Sequence, residues 1–198
     1  MNVENYRGWF IVGILASILL AATPTLALFV RTPDVSEKFS ELWLLGPNHK
    51  AEDYPLNVGA NEIYTVYVSV GNRLGYSAYY RVLVKFCNQT LSLPLSSNST
   101  PSPLPALYEF NIFIRDDGIS ENLFHFELLD IDRSDEILAV NKMSINGATL
   151  AVNRTTIWDV EGNGFYFQFF FELWLYNASV LRFQYHNRFV GFWLNITA

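Results

Sequence analysis

The chain has a single cysteine, few histidines and few charged residues. Because Cys87 stands alone, no intramolecular disulfide can form, which excludes the small secreted domains that disulfides hold together. We expect Cys87 to be a core or strand-end residue. The histidines, His49, His125 and His186, lie far apart, and no pair has the spacing of a helical metal site. No catalytic serine motif, Cys–His arrangement or phosphate-binding glycine loop is present, so we expect neither an enzyme nor a cofactor-binding protein.

The charges that are present are mostly acidic. Nineteen Asp and Glu against 13 Lys and Arg give a formal net charge of −6. This balance argues against nucleic acid or anionic lipid as a main partner.

One long uncharged run extends from Trp9 to Val30. As a helix it would span roughly 33 Å, enough for a hydrocarbon core of about 30 Å. Pro24 could kink this helix or end it. The pattern predicts a polar tail at 1–8, a single transmembrane helix at 9–30 in the lipid bilayer, a juxtamembrane linker at 31–38 and one domain at 39–198. The alternative is a cleaved signal peptide with Arg7 in its basic region. Either way, the remainder lies across the membrane.

Five Asn-x-Ser/Thr triplets follow the uncharged run. Such triplets accept N-linked glycans on an exported face, and five in one domain favour export. We therefore expect a single-pass protein of the cell membrane with its C-terminal domain outside. The candidate glycosylation sites are Asn88, Asn98, Asn153, Asn177 and Asn195.

The rest of the chain alternates apolar and polar residues and is rich in aromatics, as β-strands are. We predict a mainly β fold, an antiparallel β-sandwich of immunoglobulin-like type. Residues 62–70 and 79–86 are expected to pair as a hairpin, and Asn146-Gly147 predicts another. The C-terminal third predicts a three-strand meander that turns at Asn177-Ala178-Ser179 and at His186-Asn187-Arg188. The strands are predicted at 40–45, 62–70, 79–86, 108–115, 122–129, 165–175, 181–185 and 190–196, with shorter ones around residues 146–147.

Two segments are predicted to be loops. Residues 91–105 are rich in Ser and Pro, so we expect them to be exposed and mobile. Residues 130–136 are acidic. Their carboxylates could bind Ca²⁺, but the segment lacks the glycine and the distant glutamate of a calcium loop, which favours a solvated loop.

The last third also predicts an interaction surface. If the odd-numbered side of 165–175 is buried, aromatic side chains project from the other face. Exposed aromatic patches mark contacts with another subunit, with sugar rings or with the membrane. The alternative is that a further strand or loop covers them. The candidate residues are Tyr166, Phe170, Trp174, Phe189 and Trp193.

The segments FSELWLLGPNHKAEDYPLNV and IYTVYVSVGNRLGYSAYYRVLV resemble the archaeal DUF1616 family of membrane proteins of unknown function. The matching residues are 44–47 (LLGP) and 51–55 (AEDYP). The resemblance covers most of 39–90. The C-terminal tail is also similar, but only in its general residue pattern. It implies a membrane protein with an extracytoplasmic β-domain, but no activity. Many members carry several membrane helices, whereas this chain has one candidate. Residues 52–55 could form a binding loop, although a structural turn is favoured.

Together these observations predict a membrane-anchored, N-glycosylated cell-surface protein. We expect it to act as a structural or interaction subunit of an archaeal envelope or membrane complex, with a protein partner or a second copy bound to it. The alternative is a carbohydrate-binding or sensory module that uses the same aromatic side chains.

Overall fold

A computed structural model describes residues 3–30, 37–90 and 93–197, with side chains at 8–21, 23, 37–90, 93–95 and 97–197. The chain divides into two units, Met1–Glu37 and Lys38–Ala198. The first holds the helix α1 (Val3–Val30). The second holds the strands β1 (Phe39–Leu45), β2 (Asn57–Val58), β3 (Ile63–Arg73), β4 (Ala78–Asn88), β5 (Tyr108–Ile114), β6 (Ile119–Ser134), β7 (Ile137–Ile145), β8 (Ala148–Ile157), β9 (Tyr166–Asn177) and β10 (Arg182–Ile196), and a 3₁₀ turn at Ser96–Asn98.

Helix α1 is longer than the predicted span of 9–30. It includes residues 3–8 of the predicted tail, which contain no proline, and it continues through Pro24. Of the predicted linker at 31–38, residues 31–36 lie outside the described part of the chain. Among the described residues, no helix combines the length and the apolar character needed to cross a membrane.

Within residues 37–90 and 93–197, ten strands form two sheets of five. The first sheet has the order β1-β3-β6-β7-β8 and the second the order β2-β10-β9-β4-β5. The short strand β2 runs parallel to β10, and the other paired strands are antiparallel. The prediction of a mainly β fold built from two sheets is confirmed.

The core lies between the two sheets and is dominated by phenylalanine. Phe124 and Phe126 of β6 meet Phe169 and Phe171 of β9, and all four are buried. The rings of Phe124 and Phe171 lie 5.1 Å apart and nearly perpendicular, and those of Phe126 and Phe169 lie 4.9 Å apart. Each buried phenylalanine contributes about 1.5–3 kcal/mol through its apolar area. The alternation seen in the sequence therefore reports which side of each strand faces the opposite sheet.

The Asn146-Gly147 hairpin is confirmed between β7 and β8. Both residues have positive φ, 49° and 83°, as a two-residue turn of this kind requires.

The predicted hairpin between 62–70 and 79–86 is wrong. The two segments, now β3 and β4, belong to different sheets: β3 pairs with β1 and β6, whereas β4 pairs with β5 and β9. The connection between β3 and β4 crosses from one sheet to the other. Leu74 of this connection is buried, and the Asn72 side-chain nitrogen donates to the backbone carbonyls of Tyr76, Ile114 and Arg115. Strand pattern alone shows a buried face, but it does not show which sheet the face belongs to.

The predicted meander is also corrected. His186-Asn187-Arg188 is no turn but part of β10, which pairs with β9 on both sides of a bulge between Tyr185 and Arg188. Asn187 has φ 52°, the left-handed conformation that lets a strand take up an extra residue and bend.

The acidic segment 130–136 is mostly strand. Asp130 and Asp132 lie in β6, and the turn is confined to Asp135 and Glu136. Backbone pairing with β7 holds the acidic residues in the ladder, with register shifts beside Asp130. Within the described residues, no group of three or more His, Cys, Asp or Glu side chains could hold a metal ion.

Candidate interaction surface on the second sheet

Four aromatic side chains lie side by side across the outer face of the second sheet. Phe113 of β5 pairs with Tyr79 of β4, and Phe183 of β10 pairs with Tyr176 of β9. The rings of Tyr79 and Tyr176 lie 6.1 Å apart, which joins the two pairs into one row. We call Phe113, Tyr79, Tyr176 and Phe183 the aromatic row.

The aromatic row is accessible and uneven. Phe113 is 70% exposed and Tyr79 38% exposed. The Phe183 ring lies 5.3 Å from both tyrosine rings, tilted by 51° to Tyr79 and 67° to Tyr176. The row therefore presents ring edges as well as faces.

A charged and amide-bearing strip borders the aromatic row. The Arg81 guanidinium lies 4.3 Å above the Phe183 ring. Its Nε donates to the Asn111 side-chain oxygen at 2.9 Å, and a terminal nitrogen lies 3.4 Å from a Glu109 oxygen. Stacking on an aromatic ring orients the guanidinium and lets it serve a partner as a fixed hydrogen-bond donor.

A cavity of about 380 Å³ opens beside Tyr176 at the end of the β9–β10 hairpin. The volume suits a small ligand. Its lining mixes aromatic and amide side chains, among them Tyr76, Tyr176, Asn177, Gln184, Tyr185 and His186.

Behind His186 lies a buried polar network that joins the two sheets. The Ser40 hydroxyl of β1 lies 2.7 Å from the Tyr80 hydroxyl and 3.0 Å from Nε2 of His186. Tyr80 in turn donates to the Asn72 side-chain oxygen at 3.1 Å. Burial raises the pKa of Tyr80 and, followed by the charge of Arg188, lowers the pKa of His186. Ser40 is only 1% exposed, so the contact between Ser40 and His186 is a structural hydrogen bond between the two sheets.

The five aromatic residues predicted as a surface lie elsewhere on the same sheet. Phe170 is fully buried, which corrects its expected exposure. Tyr166, Trp174 and Phe189 are half-buried, and Trp193 is 40% exposed. Trp174 packs on Tyr185 with ring centres 5.8 Å apart. The aromatic row was missed because its members come from four strands, and only the register brings them together.

Most described residues of the Ser/Pro-rich segment 91–105 are exposed, as expected, but Pro94 and Ser102 are buried, and the segment covers part of this face at Ser102. Residues 91–92 lie outside the described residues. The Ser102 backbone N–H donates to a Glu172 carboxylate oxygen at 2.8 Å, and Lys85 donates to the Ser102 carbonyl at 2.7 Å. Lys85 and Glu172 pair at 3.0 Å beneath it, and both are buried. An ion pair on an outer strand face needs a cover of this kind, because isolated buried charges are costly.

The segment that carries the DUF1616 resemblance folds against the first sheet. His49 stacks on Tyr67 with ring centres 4.0 Å apart and lies 2.8 Å from a Glu121 oxygen. The Tyr54 hydroxyl donates to the Leu44 carbonyl at 2.8 Å. The Tyr54 hydrogen bond holds residues 52–55 against β1.

The other singled-out residues are dispersed. His125 lies on β6, where its Nδ1 is 2.8 Å from the Thr65 hydroxyl. Cys87 is buried, and burial raises the pKa of its thiol to about 11. Of the five sequon asparagines, Asn98 and Asn153 are exposed, whereas Asn88, Asn177 and Asn195 are half-buried.

No family model matches the chain, and no curated protein is significantly similar to it. Among solved structures, the CARDB domain of the PF1109 protein of Pyrococcus furiosus, solved with di-metal ions, is similar with a TM-score of 0.39 at 10% identity, over 82% of this chain and 97% of that one. The complex of zinc 2-glycoprotein and prolactin-inducible protein from human seminal plasma gives 0.37 at 10% identity, over 83% and 99%. A β-glucosidase from Listeria innocua gives 0.36 at 10% identity, over 81% of this chain and 16% of that one. TM-scores of this size do not bear on function.

Proposed function

We propose that the chain is a membrane-anchored cell-surface protein and an interaction subunit of an archaeal envelope or membrane complex. In this proposal, the second sheet of its extracytoplasmic domain docks a protein partner. The observation that carries the docking is the aromatic row with Arg81 beside it.

The chemistry of the row favours protein over other occupants. Tyrosine and arginine are enriched where protein interfaces derive their affinity. The steep tilts between Phe183 and its two tyrosine neighbours suit interlocking side chains better than a flat stacked ring. Phe113 adds an exposed apolar anchor on the edge strand β5.

The anchor is supported by the uncharged run of 9–30 and by the side chains of α1. Those described between Gly8 and Ala21 are exposed, with Leu19 at 72% and Leu20 at 73%. A helix satisfies its own backbone polar groups in lipid, so it is the form that a membrane anchor takes.

The docking is tested on the full chain extracted from its native membrane in mild detergent. Size-exclusion chromatography with mass spectrometry should show a stoichiometric protein partner for the wild type. Phe113→Ser and Tyr176→Ser should each weaken retention of that partner at least tenfold, since hot-spot side chains cost about 2 kcal/mol or more.

The matched control is Val160→Ser, which removes an apolar side chain of comparable exposure (82%) from the loop between β8 and β9. This variant should keep the partner. A wild-type chain that elutes alone and monomeric would contradict the docking, as would equal loss in all three variants.

The anchor has its own test. Alkaline carbonate should leave the full chain in the membrane pellet, and external protease should reach residues 39–198 in intact cells. Release of the intact chain into the supernatant would contradict the anchor, whereas the docking proposal would still stand.

A second candidate is a carbohydrate-binding module, and the cavity beside Tyr176 is the observation that favours it. Its amide and hydroxyl groups could bind sugar hydroxyls, and Tyr76 and Tyr176 could contact a ring. A glycan array that responds to wild type and not to Tyr176→Ala would support this reading over the protein partner.

Two further parts of the proposal concern the family of the chain and its type of fold. Membership of the DUF1616 family is proposed on residues 44–47 and 51–55. An immunoglobulin-like arrangement is proposed because β1, β3 and β6 match the order A-B-E, and β10, β9 and β4 the order G-F-C. The hairpin of β7 and β8 then extends the first sheet.

A further inference from the structure

Building on the proposed export, we infer that N-linked oligosaccharide is attached at Asn98 and Asn153, whereas the carboxamides of Asn88 and Asn195 are structural groups that the fold keeps unmodified. The five sequons are equivalent in the sequence. They differ in the structure in exposure and in hydrogen bonding. This difference matters because a glycan needs both the side-chain nitrogen and open space around it.

The modification itself defines what must be free. A phosphate-activated oligosaccharide donor forms a bond between its anomeric carbon and Nδ2. The bond from that carbon to the phosphate oxygen breaks, the phosphate leaves with the electron pair, and Nδ2 loses one proton. The product keeps one N–H, so the carboxamide can make one donor bond at most and must tolerate a sugar ring beside it.

Asn195 makes a single donor bond, but its carboxamide is closely packed and lacks the open space. Its oxygen accepts from the Phe165 backbone N–H at 3.1 Å, and its Nδ2 donates to the Asn57 side-chain oxygen at 3.3 Å. The carboxamide is packed so closely on Gly164 that a Cβ there would collide with it. It therefore fills the space between β10, β2 and the start of β9.

Asn88 is held in a different way. Its Nδ2 donates to the Thr155 carbonyl at 2.8 Å, which ties β4 of the second sheet to β8 of the first. Its oxygen accepts from the backbone and the hydroxyl of Thr90 at 3.0 and 2.8 Å. A sugar on this nitrogen would lie beside the contact between β4 and β8.

Asn98 and Asn153 are exposed, and their carboxamides make no hydrogen bond to any described residue. Asn153 lies on β8, the edge strand of the first sheet, with φ 48° beside a register shift between β7 and β8. A glycan there would hinder another chain from pairing with this edge strand. Asn177 lies between the two classes, because its nitrogen binds only the exposed Gln184.

The first test is site-by-site glycopeptide mass spectrometry on the full chain from native cells. Occupancy at Asn98 and Asn153, with bare Asn88 and Asn195, is the expected result. Occupancy at Asn88 or Asn195 in the folded protein overturns the inference and leaves the proposed export standing. A chain that is bare at every sequon overturns the inference and removes the sequons as support for the proposed export.

The second test uses matched pairs in the full chain made without glycosylation. Asn195→Ala and Thr197→Ala both destroy the same sequon, but only the first removes the carboxamide. Asn195→Ala should lower the midpoint of thermal unfolding by about 4 °C, whereas Asn98→Ala should shift it by less than about 1 °C. Thr197→Ala also removes the hydroxyl that donates to the Val58 carbonyl at 3.4 Å, so it should lower the midpoint, but by less than Asn195→Ala. Equal midpoints for Asn195→Ala and Thr197→Ala would overturn the structural role of Asn195 even if no glycan is found anywhere.

Discussion

Lys85 and Glu172 form an ion pair at 3.0 Å with side chains only 4% and 0% exposed, on the face of the second sheet that the sequence pattern assigns to solvent. The Ser102 backbone closes over the pair and bonds to both partners. The polar pair and Ser102 of the proline-rich segment, which read separately as surface features, thus form one buried assembly.

Removal of one partner should be costly because it leaves an unpaired buried charge. Lys85→Met or Glu172→Leu alone should lower the free energy of unfolding by about 3–5 kcal/mol, and the double substitution should recover much of that loss. Urea unfolding measures both. The exposed pair of Lys50 and Glu52, at 3.4 Å, is the control, and Lys50→Met should cost less than about 1 kcal/mol. Equal losses in the single and double variants would contradict the coupling.

The Cys87 thiol should be unreactive towards thiol reagents in the folded protein. With a pKa of about 11, the thiol is almost entirely protonated at pH 8, and the residue is buried. A thiol reagent at pH 8 should label the native chain at least a hundredfold more slowly than the urea-unfolded chain. Labelling at similar rates in the two states would show that β4 opens or that the thiol is activated.

His186 should make stability depend on pH. Burial and Arg188 hold its folded pKa below the ordinary 6.5, so the unfolded chain binds the proton more readily. Stability from this residue is therefore present above pH 6.5 and is lost as the pH falls towards the folded pKa. Unfolding midpoints between pH 7.5 and 5 should fall more steeply in wild type than in His186→Gln. Parallel curves would contradict the assignment.

Gly46 should resist substitution although φ there is not positive. A Cβ at this position would collide with the backbone carbonyl oxygen of Glu52, which a side-chain rotation cannot relieve. Gly46→Ala should cost about 1–3 kcal/mol in urea unfolding. At Gly59 the nearest atom to an added Cβ is 3.7 Å away, so Gly59→Ala should be close to neutral. A neutral Gly46→Ala would show that residues 46–52 move freely.

The two aromatic surfaces make different predictions for binding. Trp193 is the most exposed of the five aromatic residues singled out from the sequence, yet it is not in the aromatic row. Trp193→Ser should retain the protein partner, whereas Tyr176→Ser should lose it. The reverse result in the same co-purification would move the docking site to the β10 edge of the sheet.

Alternation with a period of two could be read directly from the chain, because successive side chains of a strand face opposite sides. Val66, Phe124, Phe169 and Leu194 stand at apolar positions of this alternation, and all four are fully buried. The Asn146-Gly147 turn could also be read, because few residues adopt two consecutive positive φ angles. The mainly β class follows from these local preferences.

Pairing depended on contacts that no local pattern encodes. β3 and β4 each have a buried face, but the Asn72 amide and buried Leu74 direct the chain into the opposite sheet. Phe170 is fully buried, and the strand pattern could not decide between this outcome and exposure. The aromatic row arises from four strands distant in sequence. Local sequence determined which residues face inward, whereas the tertiary structure decided which strands meet and what covers them, since only the packed chain brings distant backbone and side chains within bonding distance.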